Sequence, residues 1–455
     1  MTRQLLGDDG RHALHTSDSE DALNEEANAL LIHPDSIVIG SKDSYFLLSV
    51  QENLLVSELF VTFAFEMRIL FLTYHGFDPA SGITKKMQAQ VKGLRQCGHD
   101  VHVCYYDFDS RGHRCRFVDQ QVIKDYGTGV MAALRQRVSL GSIYKYGVEH
   151  GIELVYARSN INASPFLIRL FSRLRRAGVK SVMEIPTYPY DHEFNHHNWD
   201  QRLQLRIDQL FRRRLARQME AIVTFSDEKE IFGQRTIRIS NGVDLDVLPL
   251  CRLEPSPVPS RGKGTPLHLI GVAEVHTWHG FDRLIAGLGE YYAGNRPSDS
   301  PMVYFHIVGG VGSNEMNGTN DAQGFKPLIE RYGLQDKVVF HGQLFGQQLN
   351  DVFSQCQFAI GSLGRHRSGI THIKTLKNRE YASRGIPFIY SEMDSDFDHQ
   401  PYVMKAPADE SPIDINRVVD FVRSHSFRPE NIRQTVEHLS WKQQMNIVIN
   451  SLTPP

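Results

Sequence analysis

Arg68-Ile-Leu-Phe-Leu-Thr73 is followed by Tyr74-His-Gly-Phe-Asp-Pro-Ala-Ser-Gly82, a helix-compatible stretch from Lys85 to Gln96, and a second apolar run from Val101 to Tyr105. An apolar run without polar alternation suits a strand buried on both faces, as in a parallel sheet covered by helices. Strand, glycine-containing turn, helix and strand together make one unit of a Rossmann-like layer. The alternation continues through Leu154-Val-Tyr156, a helix from Pro165 to Arg176, a strand from Ser181 to Ile185, a basic helix from Gln201 to Gln218, and Ala221-Ile-Val-Thr-Phe225.

Working outward from this unit, residues 1–66 show no sustained periodicity and are expected to be an N-terminal extension, disordered or arising from an upstream start. Residues 67–245 form the first domain. Prolines at 249, 255, 257, 259 and 266 mark 246–266 as a linker, since that composition resists regular structure. The pattern then restarts with Leu267-His-Leu-Ile-Gly-Val-Ala273, a helix from Phe281 to Tyr292, a strand from Val303 to Val308, and further pairs through Ile386 to Tyr390, giving a second Rossmann-like domain over 267–427. Residues 428–455 read as terminal helices closing back over the first domain.

The 455-residue length suits two domains. Hydrophobic residues at 41% and charged residues at 22% place the chain among globular proteins rather than disordered or collagen-like ones. Five scattered cysteines with no CxxC spacing give neither a disulfide framework nor a zinc site. The net charge of -2 conceals an asymmetry, because residues 1–66 carry 12 acids and 3 bases, leaving 47 bases against 40 acids in the body. A mildly basic body suits phosphorylated or membrane-surface substrates, and equally a solvated basic face. No apolar run reaches the roughly 18 residues of a membrane span, and the N-terminus has acids where a signal peptide has bases. A cytoplasmic location is expected, with the inner membrane face as a peripheral site.

In open parallel sheets, ligands bind beyond the carboxyl ends of the strands. Gly361 to Glu380 is such a segment, a glycine-rich basic loop leading into a helix. Backbone amides at that helix N-terminus, with Arg365, Arg367, Lys374 or Lys377, would hold a diphosphate, and Glu380 would accept both hydroxyl hydrogens of a ribose. A solvated loop is the rival reading. On the other domain, Glu184-Ile-Pro-Thr-Tyr-Pro-Tyr-Asp-His-Glu193 follows a buried strand and is rich in tyrosines and carboxylates. Tyr188 and Tyr190 suit sugar hydroxyls and ring faces. Glu184, Asp191 or His192 would orient or deprotonate a substrate hydroxyl, with Glu184 favoured by its place at the strand end.

Leu376-Lys-Asn-Arg-Glu-Tyr-Ala-Ser-Arg-Gly-Ile-Pro-Phe-Ile389 resembles the donor-site helix of the family 4 retaining glycosyltransferases, especially those of bacterial surface-polysaccharide clusters. Trp278-His-Gly-Phe-Asp-Arg-Leu-Ile285, Ile239-Ser-Asn-Gly-Val-Asp244 and His306-Ile-Val-Gly-Gly310 resemble further segments of that family in the same order. The resemblance implies a GT-B fold, two doubly wound α/β domains facing a cleft, and transfer of a sugar from a nucleotide-sugar donor with retention. It implies donor contacts from Gly82, His279, Gly280, Gly309, Gly310 and Glu380. The acceptor would be a saccharide or a lipid-linked saccharide.

Two departures from the family pattern stand out. His372 occupies the position, eight before Glu380, where the family has a glutamate beside the donor sugar. Glu274 and His279 replace a common arginine and lysine. They motivate one alternative, a non-catalytic GT-B-like binding subunit; a sugar-nucleotide epimerase on the same fold, which would transform the donor with no acceptor, is another. No cofactor and no metal are expected: Asp107-Phe-Asp109 and Asp394-Ser-Asp396 match a three-residue DxD pattern that recurs by chance, and the 21 histidines show no HExxH spacing. Neither Gly-containing turn has the GxGxxG of a nicotinamide enzyme, and no nucleic-acid partner is indicated. Arg212, Arg213, Arg214 and Arg217 lie on one expected helix, suited to anionic head groups or to solvent.

Overall fold

The computed structural model describes residues 66–77, 82–191, 199–251, 265–294, 299–310 and 321–452, together with the backbone of 28–33, 36–41 and 44–49. Most of the linker, His192 and much of the N-terminal extension lie outside these residues.

The first large sheet runs, edge to edge, Glu230–Ile231, Gln234–Arg238, Ala221–Thr224, Lys180–Ile185, Leu154–Arg158, Arg68–Leu72, Asp100–Phe108, Arg114–Val118 and Gln121–Gly127. Its centre is parallel, and antiparallel pairs close both edges. Side chains alternate between two cores. Ile69, Phe71 and Val223 pack with Met87 and Leu94 on one face. Leu70, Leu72 and Val155 pack with Leu167, Leu170 and Phe171 on the other. The helix Pro165–Arg176 begins where its sequence says it should, because Ser164 accepts from the Leu167 amide and proline occupies the first turn.

The second sheet is parallel throughout, in the order Val338–Gly342, Val303–Val308, Leu267–Val272, Phe358–Ile360, Phe388–Tyr390 and Val403–Lys405. Leu269, Phe305 and Phe358 meet the helices Phe281–Ala293 and Ile415–Ser424 on one face. Ile270, Val308 and Ala359 meet Phe353, Tyr381 and Ala382 on the other. The last helix, Trp441–Asn450, places Trp441, Met445 and Val448 in a core of the first sheet. Trp441 also seats against the chain between the sheets, since any Cβ on Gly242 would lie 2.4 Å from its ring.

Three features were not anticipated from sequence. The antiparallel extension from Arg114 to Gly127, with the helices Gly129–Val138 and Gly141–Glu149, occupies a stretch that the simple alternation passes over. Short strands at 230–238 and 403–405 extend the sheet edges. Within the N-terminal extension, the backbone of Asn28–His33, Ser36–Ser41 and Ser44–Ser49 forms a three-stranded antiparallel sheet. The apolar runs there, Ala29–Ile32, Ile37–Ile39 and Tyr45–Leu48, are separated by Pro34-Asp35 and Lys42-Asp43 and are too short to register as periodicity.

Candidate functional site: the carboxyl edge of the second sheet

Four strand ends converge at this edge: Ala273, Gly309, Gly361 and Ser391 each lie just past a strand. Glycines let them approach closely. A Cβ on Gly309 would lie 1.7 Å from the Ala273 carbonyl, and its φ of +129° is open only to glycine. Gly310 accepts from the Val275 amide at 2.7 Å. Gly280, at φ +62°, brings its turn against Leu363-Gly364, where the Leu363 amide donates to His279 and the Gly364 amide to Trp278.

The helix Leu376–Ser383 points its N-terminus into this edge. Its capping residue Thr375 makes no side-chain cap, which leaves the first amides of the helix available to an anion. Lys377 sits there with its ammonium buried and no hydrogen-bond partner. Burial, then the neighbouring Arg365, holds its pKa well below the usual lysine range, opposed by Glu392. Glu392, 2% exposed, has one carboxylate oxygen without a partner, and burial pushes its pKa up to about 7. Asn378 donates to Asp394 at 3.3 Å and lies 3.5 Å from Glu392, and its own carbonyl has no partner. Ser362 and Asn241 add further unpartnered oxygens.

His279 is 5% exposed and its Nδ1 accepts from the His276 amide at 2.9 Å. The proton therefore sits on Nε2. Burial, then Lys377 and Arg365, holds its pKa well below the normal imidazole value, so it offers a neutral N–H and not a positive charge. Glu380, half-buried on the same helix, is held by Arg384 at 3.0 Å. Arg379 is fully buried and bonds Asp394, Asp396 and Ser240, tying the helix to the segment between the two sheets. Lys374 lies 3.5 Å from Asp396 and 3.7 Å from Asp227.

Other expected residues are placed differently. The Arg367 guanidinium is engaged by Asp282, Glu410 and the Thr277 carbonyl, so it braces the two loops and does not face a diphosphate. His372 is exposed, and its backbone pairs with Met393, one residue past Glu392. Gly82 opens the helix Gly82–Gln96 with open space around it.

On the first domain, Glu184 is fully buried. One oxygen accepts from Tyr156 at 2.6 Å and Gln90 at 2.5 Å, the other from Arg158 at 2.6 Å with Lys86 at 3.5 Å. Burial would raise its pKa, but Lys86, Arg158 and these hydrogen bonds hold it below the usual value. The proton-acceptor role expected for Glu184 is corrected on this geometry, because both oxygens are enclosed and occupied. It organises cations at the strand end instead. Tyr190 is likewise buried, donating to Asp208 at 2.7 Å, and has no free hydroxyl for a sugar. Asp191 is paired with Arg212 at 2.6 Å and 3.0 Å, and Tyr188 packs edge-on against Phe232. The two domains meet where Lys85 lies 4.7 Å over the Phe345 ring.

Sequence reasoning missed Glu392, Thr375, Ser362 and Asn378 as site residues. Glu392 follows the strand Phe388–Tyr390 by two positions, so the strand-end rule would have found it. Three of the four DxD-like aspartates are ion-paired, Asp394 and Asp396 with Arg379 and Asp109 with Arg111, while Asp107 accepts from the Phe108 amide. Among the described residues, Asp109, Cys115 and Asp125 bring three metal-type ligand atoms within 4.8 Å of one another, but Arg111 pairs with both carboxylates.

No protein-family model matches the chain, and no curated protein matches it by sequence. Solved structures do match it in fold. A sucrose-phosphate synthase from Thermosynechococcus elongatus superposes with a TM-score of 0.56 at 15% identity, covering 85% of this chain and 99% of the other. A glycosyltransferase from Rickettsia africae gives 0.53 at 12% identity over 85% and 97%. A trehalose-6-phosphate synthase gives 0.51 at 8% identity over 85% and 99%. At these identities the likeness speaks for architecture. Two doubly wound α/β sheets, with the last helix returned to the first, therefore give this chain the GT-B fold.

Proposed function

We propose that the chain is a glycosyltransferase that moves a sugar from a nucleotide-sugar donor to a hydroxyl acceptor. The observation that carries this is the set of buried polar atoms without protein partners gathered at one strand edge, above all the Lys377 ammonium. Burial disfavours the charged form of Lys377, and a diphosphate beside it would favour that form while giving the unpaired nitrogen its hydrogen bond. A diphosphate at the head of the helix Leu376–Ser383 would satisfy Lys377 and the uncapped amides together. Glu380, one turn further on, suits a ribose diol, and His279 would donate its Nε2 proton to a phosphate oxygen.

In the transfer step, charge develops on the departing diphosphate. Donors already fixed there stabilise it more than they stabilise the bound sugar nucleotide, which is what accelerates the reaction. Retention of configuration, a saccharide or lipid-linked acceptor, and a place in polysaccharide or glycoconjugate synthesis follow from the family resemblance. So does independence from metal, with Lys377 and the helix amides supplying the positive potential. His372 stands where the family glutamate would meet the donor sugar. Peripheral contact with a membrane agrees with the exposed Leu203, Ile207 and Leu210 on the arginine-rich helix Trp199–Ala216. Among the described residues, no helix is long and apolar enough to cross one.

Calorimetry with nucleoside diphosphates tests the donor site. Lys377→Met is expected to weaken binding about 10- to 100-fold, the value of a charge-assisted hydrogen bond. Unchanged affinity in a folded variant would remove the site from this edge.

A further inference from the structure

The first sheet is covered unevenly on the face that carries Ile69 and Phe71. The helix Gly82–Gln96 packs Met87, Val91 and Leu94 over those residues and Val101. Tyr105 and Phe117 lie beyond this core. Tyr105 pairs in register with Phe117, and Phe117 with Val122, so the three share one face of adjacent strands. The other face is covered, since Ile143 packs there with Cys104 and Val118. Antiparallel strands can leave one face to water, but that face is then polar. Here it is apolar, with Val122 50% exposed.

A groove of about 810 Å³ opens where the helix stops covering the sheet. Val91, Val103, Phe77 and Tyr105 give it an apolar floor, the two rings meeting edge to face at 5.1 Å. It is separate from the cleft. Lys86 and Gln90 reach Glu184, whereas the groove residues Gln88 and Lys92 stand two positions from them, on the opposite side of the helix. The helix begins at the carboxyl edge of the sheet and runs away from it, about 12 Å from Gln88 to Gln96.

Most of the charge along the groove is engaged by the protein. Lys92 is held by Asp244 at 2.9 Å and Asp246 at 2.8 Å. Asp119 accepts from the Val103 amide at 2.8 Å and lies 2.6 Å from His102 Nδ1. Arg95 donates to the Val101 carbonyl at 2.7 Å. What remains is neutral: among the described residues, no hydrogen bond occupies the side-chain amides of Gln88 and Gln120 or the Tyr105 hydroxyl. An elongated space with an apolar floor and a neutral polar rim complements a molecule with an apolar face and a hydroxylated edge, which describes a chain of sugar rings. An amphipathic helix would need an apolar groove for its anchors, without that rim.

We propose that this groove is a second saccharide site, apart from the cleft, that takes an uncharged oligosaccharide. It rests on the glycosyltransferase proposal only for its use, which is to keep a polymer beside the cleft between turnovers.

Calorimetry of the full chain with glucose, maltopentaose, cellopentaose, chitopentaose and pentagalacturonate tests it. One neutral pentamer should bind at least about tenfold more tightly than glucose or pentagalacturonate. Tyr105→Phe and Gln88→Ala each remove one polar contact and should weaken that binding about three- to tenfold, leaving nucleoside diphosphate affinity unchanged. Binding of no neutral pentamer, preference for pentagalacturonate, or indifference to both substitutions would overturn the proposal, the last by placing the saccharide outside the groove. Nucleoside diphosphate binding in the same titrations reports on the donor site separately, so either proposal can fail alone.

Discussion

Glu184 and Glu392 show how far residue identity alone misleads. Both are buried carboxylates at strand ends, yet Glu184 is surrounded by Lys86, Arg158, Tyr156 and Gln90, whereas Glu392 has an oxygen with no partner. The difference has a measurable sign. Glu392 titrates at about 7 in the fold against 4.5 when free, so the folded chain holds a proton there that the unfolded chain has lost. Its contribution is present in full below about pH 4.5 and is lost as pH rises through 7, amounting to about 3 kcal/mol. In urea titrations at pH 5 and pH 8, the wild type should lose more stability between the two than Glu392→Gln. Equal losses would mean Glu392 is ionised throughout. The sequence could place a carboxylate at each strand end, but which one is enclosed depends on Lys86, Gln90, Tyr156 and Arg158, brought in from other elements.

At the scale of elements, the buried strands and the helices that cover them were legible because period and composition agree over whole segments. The helix Pro165–Arg176 and the strand Val303–Val308 fall where the pattern puts them. The antiparallel extension was not legible, since Gln121–Gly127 is polar and largely exposed and carries neither period clearly. Glycines separate along the same line. Gly309→Ala combines a positive φ with a backbone clash and should destabilise by about 3 kcal/mol or more. Gly82→Ala has open space and helical surroundings and should stabilise by about 0.5–1 kcal/mol. Thermal or urea unfolding of the two variants checks both, and a harmless Gly309→Ala would mean that the Ala273 turn is not packed against it.

For the molecule as a whole, the two sheets are joined at more than the linker. Arg379, on the helix Leu376–Ser383, bonds Ser240 in the crossing segment. Ser440 bridges Val243, and Trp441 enters the first core. A ligand seated at Lys377 or Glu380 is therefore one helical turn or less from the connection between the domains. Turnover tests the proposed sugar transfer most directly. Nucleoside diphosphate release from a panel of nucleotide sugars, with neutral and acidic acceptors and with or without EDTA, should depend on acceptor, survive EDTA and fall at least about 100-fold in Lys377→Met. A nucleotide sugar that binds but is never turned over with any acceptor would contradict the account and make the chain a binding subunit on a transferase fold.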